Sequence, residues 1–293
     1  MPKYEGLIFR PPSEADSLIL QVEIGCSNNT CTFCYSYKDK KLRIRSLEEI
    51  ESDLRETLPY AKRVRKVFLA DGDALVIKTD KLLKILNLLY KYYPNLWRVG
   101  IYATALNVLH KTDDELRKLK DAGLGIIYLG IESGDDVILR RVKKNMTSAQ
   151  MVEACKRILK IGFELSITII LGLGGKNRWR ENAIETARVI NEINAPTYIG
   201  ALTLMIPRGT PLFEEYIAGE FEPLTDLEIL KEMRLLIDQI DITNKSIFRS
   251  NHASNYLPLG GTLPDDKEKL LEVIDNVIKN PIGKLRPEYY RRL

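Results

Sequence analysis

The sequence predicts an α/β fold built on a parallel sheet, and three observations carry that prediction. Short apolar runs rich in Val, Ile and Leu recur along the chain, with amphipathic helical patterns between them. The helical patterns bring their own start and stop residues. Polar or glycine-rich punctuation falls at the same, C-terminal end of each apolar run. Strands that alternate strictly with helices pair in parallel through right-handed crossovers. An open doubly wound sheet and a full or partial (β/α) barrel both satisfy the pattern, and both bind ligands at the C-terminal ends of their strands.

Taken in order, the strand candidates are SLILQVEIG (17–25), KVFLADGD (66–73), RVGIYATAL (98–106), GIIYLGIES (125–133), ELSITIILGLGG (164–175) and TYIGALTLMIP (197–207). The helical patterns after them are SLEEIESDLRETLPYAK, TDKLLKILNLLYKYY, TDDELRKLKDAG, TSAQMVEACKRILKIG, NRWRENAIETARVINEI and TDLEILKEMRLLIDQI. Thr79, Thr112 and Thr147 stand where N-caps are wanted, and Glu115 lies at capping-box distance from Thr112. Gly123 and Gly162 stand where helices end in a left-handed residue. SIFR reads as a short seventh strand, and DDKEKLLEVIDNVIKN as a closing amphipathic helix. The strands end in a cysteine cluster, in Asp71-Gly72-Asp73, near Tyr102 and Thr104, in Gly130-Ile131-Glu132-Ser133-Gly134, in Gly172-Leu173-Gly174-Gly175, and in MIPRGTP. Turns alone account for the glycines. They account less well for carboxylates on the second and fourth strands.

At 293 residues, 45% hydrophobic and 29% charged, the chain is long enough for one large domain with an extension. We place the domain at 15–245 and a C-terminal extension that closes it at 246–293. A net charge of +4 is too mild for a dedicated nucleic-acid binder. No apolar run reaches membrane-spanning length and no signal-peptide core opens the chain, so a cytoplasmic protein is expected. Four cysteines do not make a disulfide framework.

Three of those cysteines, Cys26, Cys31 and Cys34, fall within VEIGCSNNTCTFCYSYKDK in a C-x4-C-x2-C spacing. Three chemistries compete for them. Structural zinc wants a fourth ligand, and the two histidines, His110 and His252, are far along the chain. A plant-type [2Fe–2S] cluster shares the spacing but needs a fourth cysteine. The candidate, Cys155, shares a helical stripe with Met151, Ala154, Ile158 and Leu159, which reads as core. A [4Fe–4S] cluster held by three cysteines leaves one iron open to a small ligand.

The cysteine loop after the first strand, with Phe33 before its last cysteine, resembles the radical SAM superfamily, with one residue more in the first gap than the usual C-x3-C-x2-C. VFLADGDAL resembles that superfamily's second-strand motif. YLGIESGDDVILRRVKKNMTSAQMVEACKRILKIGFELSITIILGLGG resembles the fourth- and fifth-strand region of the branch containing Elp3, the methylthiotransferases and the coproporphyrinogen dehydrogenases. The resemblance runs from about Ser17 to about Ile242. It implies an α/β fold, a parallel partial (β/α)6 TIM-like barrel with a short C-terminal extension.

It also implies an oxygen-sensitive enzyme with one [4Fe–4S] cluster and S-adenosyl-L-methionine (SAM) as cofactors. Cys26, Cys31 and Cys34 would ligate three irons, and SAM would chelate the fourth. Gly72 and Asp73 match the motif that accepts hydrogen bonds from the SAM amino group; Lys144 stands where the branch has a base for the SAM carboxylate. Glu132 stands near the ribose and methionine positions, Thr104 and Thr168 near the nucleoside, and the 172–175 glycines where backbone would approach the adenine. By resemblance, SAM is cleaved reductively to a 5′-deoxyadenosyl radical that abstracts hydrogen from a substrate. The competing reading is a structural zinc or electron-transfer iron–sulfur protein on a (β/α) scaffold, and the metal content separates the two.

The substrate end is less legible. Asn251, His252, Ser254 and Asn255 crowd one short segment with hydrogen-bonding side chains, and His252 and Asn255 are taken as the candidate catalytic pair. The basic stretch KDKKLRIR suits docking of a one-electron donor such as a flavodoxin or ferredoxin, and the tail KLRPEYYRRL mixes Arg with Tyr as an RNA contact does. The expected substrate is a small molecule or tRNA. No C-terminal cysteine cluster and no domain-sized segment before Cys26 are seen, so neither a second cluster nor a cobalamin domain is expected.

Overall fold

The structure, a computed structural model, describes residues 2–292. Its elements are β1 (Leu18–Gln21), β2 (Glu23–Ile24), β3 (Arg43–Ile44), α1 (Leu47–Glu56), β4 (Lys66–Ala70), α2 (Thr79–Tyr92), β5 (Arg98–Ala103), α3 (Ala105–His110), α4 (Asp113–Asp121) and β6 (Leu124–Glu132). There follow α5 (Asp136–Arg141), α6 (Ser148–Ile161), β7 (Glu164–Leu171), α7 (Gly175–Ile193), β8 (Tyr198–Thr203), α8 (Pro211–Ile217), α9 (Asp226–Gln239), β9 (Ser246–Arg249), β10 (Gly260–Leu263) and α10 (Lys267–Lys279). One eight-stranded sheet runs in the order β1-β4-β5-β6-β7-β8-β9-β10, and β2 and β3 form a separate two-stranded ribbon. Pairing is parallel from β1 to β4, β5 and β6, and again from β7 to β8 and β9. SIFR is thus a seventh parallel strand, and β10, which the sequence pattern did not show, returns antiparallel on it.

The contacts divide the chain into two compact units, Met1–Asn29 with Ser36–Leu129 and Arg157–Leu165, and Thr30–Tyr35 with Gly130–Lys156 and Ser166–Leu293. In the first unit, Leu82, Ile85, Leu86 and Leu89 form the buried stripe of α2 at helical spacing. Phe68, Tyr102 and Tyr128 from three neighbouring strands meet edge to face, with centroids 4.8 to 6.1 Å apart. The predicted run 17–25 is not one strand. It breaks at Val22, whose N–H donates to the Ala70 carbonyl at 2.6 Å while β2 turns away to pair with β3. Arg45 holds the break, donating to the Gln21 carbonyl at 2.9 Å and to Asp53 at 2.6 Å.

The predicted cap at Thr112 forms, with Thr112 and Glu115 bonding each other's backbone N–H. Thr147 and Gln150 do the same before α6. Thr79 does not cap α2. Lys78 precedes the helix, and the Thr79 hydroxyl instead donates to Glu115 (2.8 Å) and accepts from Lys111 (3.2 Å). A side chain that ties one helix to the start of another is a non-local use of a residue whose local preference is to cap.

In the second unit β7 and β8 run in register, with Thr168 opposite Gly200. Cys155 is fully buried, and burial pushes its thiol up to about 12, which suits a core residue rather than a thiolate ligand.

Candidate active site

The first unit holds Cys26 and the acidic end of β4. Gly25, at φ +89°, turns the chain into Cys26, and its carbonyl accepts from Gly72 N–H at 2.9 Å. Gly72 is required by close approach. A Cβ there would stand 2.8 Å from the Cys26 Cβ and 2.6 Å from the Tyr37 ring. The backbone after β4 therefore seats directly against the first cysteine, which only glycine permits.

Asp73 is fully buried and heavily used. One oxygen accepts from Thr104 N–H at 2.8 Å; the other accepts from the Thr104 hydroxyl at 3.0 Å, from Ser27 and from the Asn107 amide. Thr104 in turn caps α3. Burial raises the Asp73 carboxyl above its ordinary range, and these bonds pull the other way. Asp71 accepts at one oxygen from Gln21 (2.9 Å), Gly25 N–H (3.1 Å) and Lys40 (2.8 Å), while its other oxygen is buried with no hydrogen-bond partner. A third acid, Glu23, joins them. It accepts Asp73 N–H at 2.9 Å through Oε2, and Oε1 is buried with no partner. Burial first, then the neighbouring Asp73 and Asp71, push the Glu23 carboxyl up to about 9.

The second unit holds Cys31 and Cys34 on the segment 30–35. Thr32 anchors that segment twice, its N–H donating to the Val142 carbonyl (3.0 Å) and its carbonyl accepting from Leu212 (3.1 Å). Phe33 packs against Ile138, Val142, Ile170 and Leu173. Cys31 is buried, Cys26 and Cys34 are half-buried, and all are thiols. Among the described residues no three His, Cys, Asp or Glu side chains converge as a single ion requires. A cubane cluster instead takes each thiolate on a different iron.

Glu132 ends β6 at φ 63° and pairs with Lys144 at 2.8 Å, both side chains nearly buried. Gly130 makes room for the pair, since a Cβ there would lie 2.2 Å from Glu132 Oε1. Thr168 is half-buried in the middle of β7. In the predicted 172–175 glycine run, Gly172 N–H donates at 2.7 Å to Glu232, and a Cβ on Gly175 would meet the Glu222 carbonyl at 2.8 Å. These glycines admit the chain's own backbone and α9 closely. Glu232 also accepts from Asn182 (2.7 Å), and burial pushes its carboxyl up to about 8.

The 251–255 segment is built as a clamp. Asn255 donates to the Ala201 carbonyl (2.9 Å) and accepts from Thr203 (2.9 Å), fixing the segment to β8. His252 Nδ1 accepts Ser254 N–H at 3.1 Å, so a neutral ring carries its proton on Nε2. Burial, then Arg286, holds His252 below its usual range. Arg286 donates to the carbonyls of His252, Ala253 and Asn255, and Arg291 to those of Ser254 and Leu204, with its guanidinium 4.2 Å over the Tyr256 ring.

The sequence reading missed Glu23, Asn107, Glu232 and the two tail arginines. Only Glu23 carried a local signal, a carboxylate inside an apolar strand, which is costly without a reason. Of the stretch KDKKLRIR, Lys40, Arg43 and Arg45 already pair with Asp71, with Glu5 and Glu49, and with Asp53.

Residues 23–187 match the family model described as Radical SAM superfamily. The chain is similar to the threonylcarbamoyladenosine tRNA methylthiotransferase MtaB of Rickettsia prowazekii, 24% identical over 66% of this chain and 46% of that protein. It spans less than half the length of the curated relatives it matches. In fold it is similar to methylornithine synthase (PylB), with TM-score 0.57 and 17% identity over 88% of this chain and 68% of that one. It is similar also to coproporphyrinogen III oxidase (HemN) of Escherichia coli, with TM-score 0.56 and 16% identity over 76% of this chain and 52% of that one.

Proposed function

Because the chain belongs to the radical SAM superfamily, we propose that it is an enzyme that reductively cleaves SAM at a [4Fe–4S] cluster and abstracts hydrogen from a substrate. When bound, the two cofactors supply the electron and the 5′-deoxyadenosyl radical; the protein binds, orients and shields them. The observation that carries the reading is the seat of the cysteine loop. Gly72 is pressed on Cys26, Phe33 is sunk in apolar core, and Thr32 is tied at both backbone atoms. A cluster held by three thiolates keeps its fourth iron for another ligand.

Cys26, Cys31 and Cys34 hold the cluster. Gly72, Asp73 and Thr104 build the wall of the SAM site beside Cys26, and Glu132, Lys144 and Thr168 contribute from β6 to β7. The Glu132–Lys144 pair offers a cation to a carboxylate and an anion to hydroxyls. Residues 15–245 would form the body of the partial barrel, with 246–293 an extension that adds β9 and β10 to the same sheet. His252 offers Nε2–H to the substrate, and Asn255 sets its position, because the Asn255 amide is spent on β8. Between small-molecule and tRNA substrates, the small molecule is favoured, since Arg286 and Arg291 in the tail are committed to the chain's own carbonyls. A flavodoxin or ferredoxin supplies the electron.

The test is anaerobic incubation of reconstituted protein with SAM and dithionite, followed by chromatography for 5′-deoxyadenosine. Product is expected, and C31A abolishes it. Zinc or a two-iron cluster, or a full four-iron cluster giving neither product nor a SAM-induced change in its EPR spectrum, overturns the reading.

A further inference from the structure

The second-strand motif points to Asp73 as the side chain beside the SAM amino group, and the hydrogen-bond inventory points elsewhere. A carboxylate has about four acceptor sites. Asp73 already receives four donors, Thr104 N–H at one oxygen and the Thr104 hydroxyl, Ser27 and Asn107 at the other. Glu23 is 0% exposed and has only Oε2 engaged, by the Asp73 N–H itself. Its Oε1 has no partner, and a buried acceptor left open is costly. Asp71, equally buried, also keeps one open oxygen. Both acids lie in the hydrogen-bond layer behind Cys26. Asp71 binds Gly25 N–H, and Gly25 takes Gly72 N–H. Of the three acids, Asp71 is bonded to Lys40, and Lys111 lies close enough to Asp73 to interact with it. A site with spare buried carboxyl oxygens fits a ligand head that donates hydrogen bonds.

We infer that Glu23 accepts a hydrogen bond from the amino group of bound SAM, and that Asp73 is a positioning residue that holds Glu23, Ser27 and Thr104 in place. This rests on the SAM-cleaving reading above.

The experiment measures SAM binding to anaerobically reconstituted full-length protein by equilibrium dialysis and by the EPR shift of the reduced cluster. Wild type and E23Q are compared, with iron and sulfide assayed in each. The second ligand is a SAM analogue lacking the α-amino group. E23Q is expected to load the cluster as wild type does and to weaken SAM by about tenfold or more. The amino-less analogue is expected to bind both proteins equally. SAM affinity in E23Q within about twofold of wild type, or an equal loss for both ligands, overturns the assignment. If E23Q loads the cluster poorly, E23D decides on the same two ligands, with the same pattern expected and the same results overturning it. Wild type that carries a full cluster yet binds no SAM refutes the broader reading, and this assignment with it.

Discussion

Glu23 and Glu232 are both fully buried glutamates, and in both burial is the main force raising the carboxyl, to about 9 and about 8. They differ in what meets their oxygens. Glu232 has both oxygens engaged by the chain itself, with Gly172 N–H on one and the Asn182 amide on the other. It stitches the end of β7 and the start of α7 to α9. Glu23 has one oxygen filled and one open, and its nearest company is two more acids. Burial alone does not mark a functional acid. Internal donors on both oxygens mark a structural one, and a buried oxygen left open among other acids marks a place held for something the chain does not supply.

The comparison can be broken most directly by replacing both acids with glutamine. E232Q sets an amide donor against one of two buried N–H groups and is expected to cost about 3 kcal/mol in chemical denaturation. E23Q keeps an acceptor for Asp73 N–H and replaces a carboxyl that burial holds neutral by a neutral amide of the same shape, so its cost is expected below about 1 kcal/mol. Equal losses would make Glu23 a second structural acid.

A pH series sharpens the same contrast. A carboxyl that titrates near 4.5 when unfolded and at about 9 when folded binds its proton in the native state across that interval. Stability therefore falls as pH rises through it. Between pH 6 and 8, wild type without SAM is expected to lose about 3 kcal/mol more than E23Q, which keeps only the share of Glu232. Parallel curves would show that Glu23 is not held protonated.

The smallest expected effect tests saturation on the cationic side. Arg291 is buried and spends its guanidinium on Ser254, Leu204 and Glu288, while Arg292 is exposed. R291A is expected to cost about 1.5 kcal/mol and to speed amide exchange across 250–256, with R292A near wild type on both. Unchanged exchange in R291A would show that the tail does not hold the His252 loop.

Much of the fold was legible because its signals are local. Alternating apolar runs and amphipathic stretches placed six strands and their helices, and the Thr112 and Thr147 boxes and the turns at Gly123 and Gly162 formed as spacing predicted. The errors were non-local. Run 17–25 broke because Arg45 and Asp53, later in the chain, hold it open, and Thr79 left its cap for Lys111 and Glu115. Cys26, Cys31 and Cys34, the Gly72–Asp73 motif, Glu132 and Lys144 were singled out from sequence, but the pairing of Glu132 with Lys144 was not. The arginines of KDKKLRIR and of the tail looked like docking charge, and the structure gives them internal partners.

By itself, then, the sequence determined the parallel α/β architecture, the three-thiol loop and the superfamily, because periodicity, caps and motif spacing are written within a few residues of one another. Only the tertiary structure decided which buried acid has both oxygens engaged and which keeps one open, and which arginines are already spent. Hydrogen-bond saturation depends on every donor that folding brings within about 3 Å, and for Asp73 those donors come from Ser27, Thr104 and Asn107, dozens of residues away in the chain.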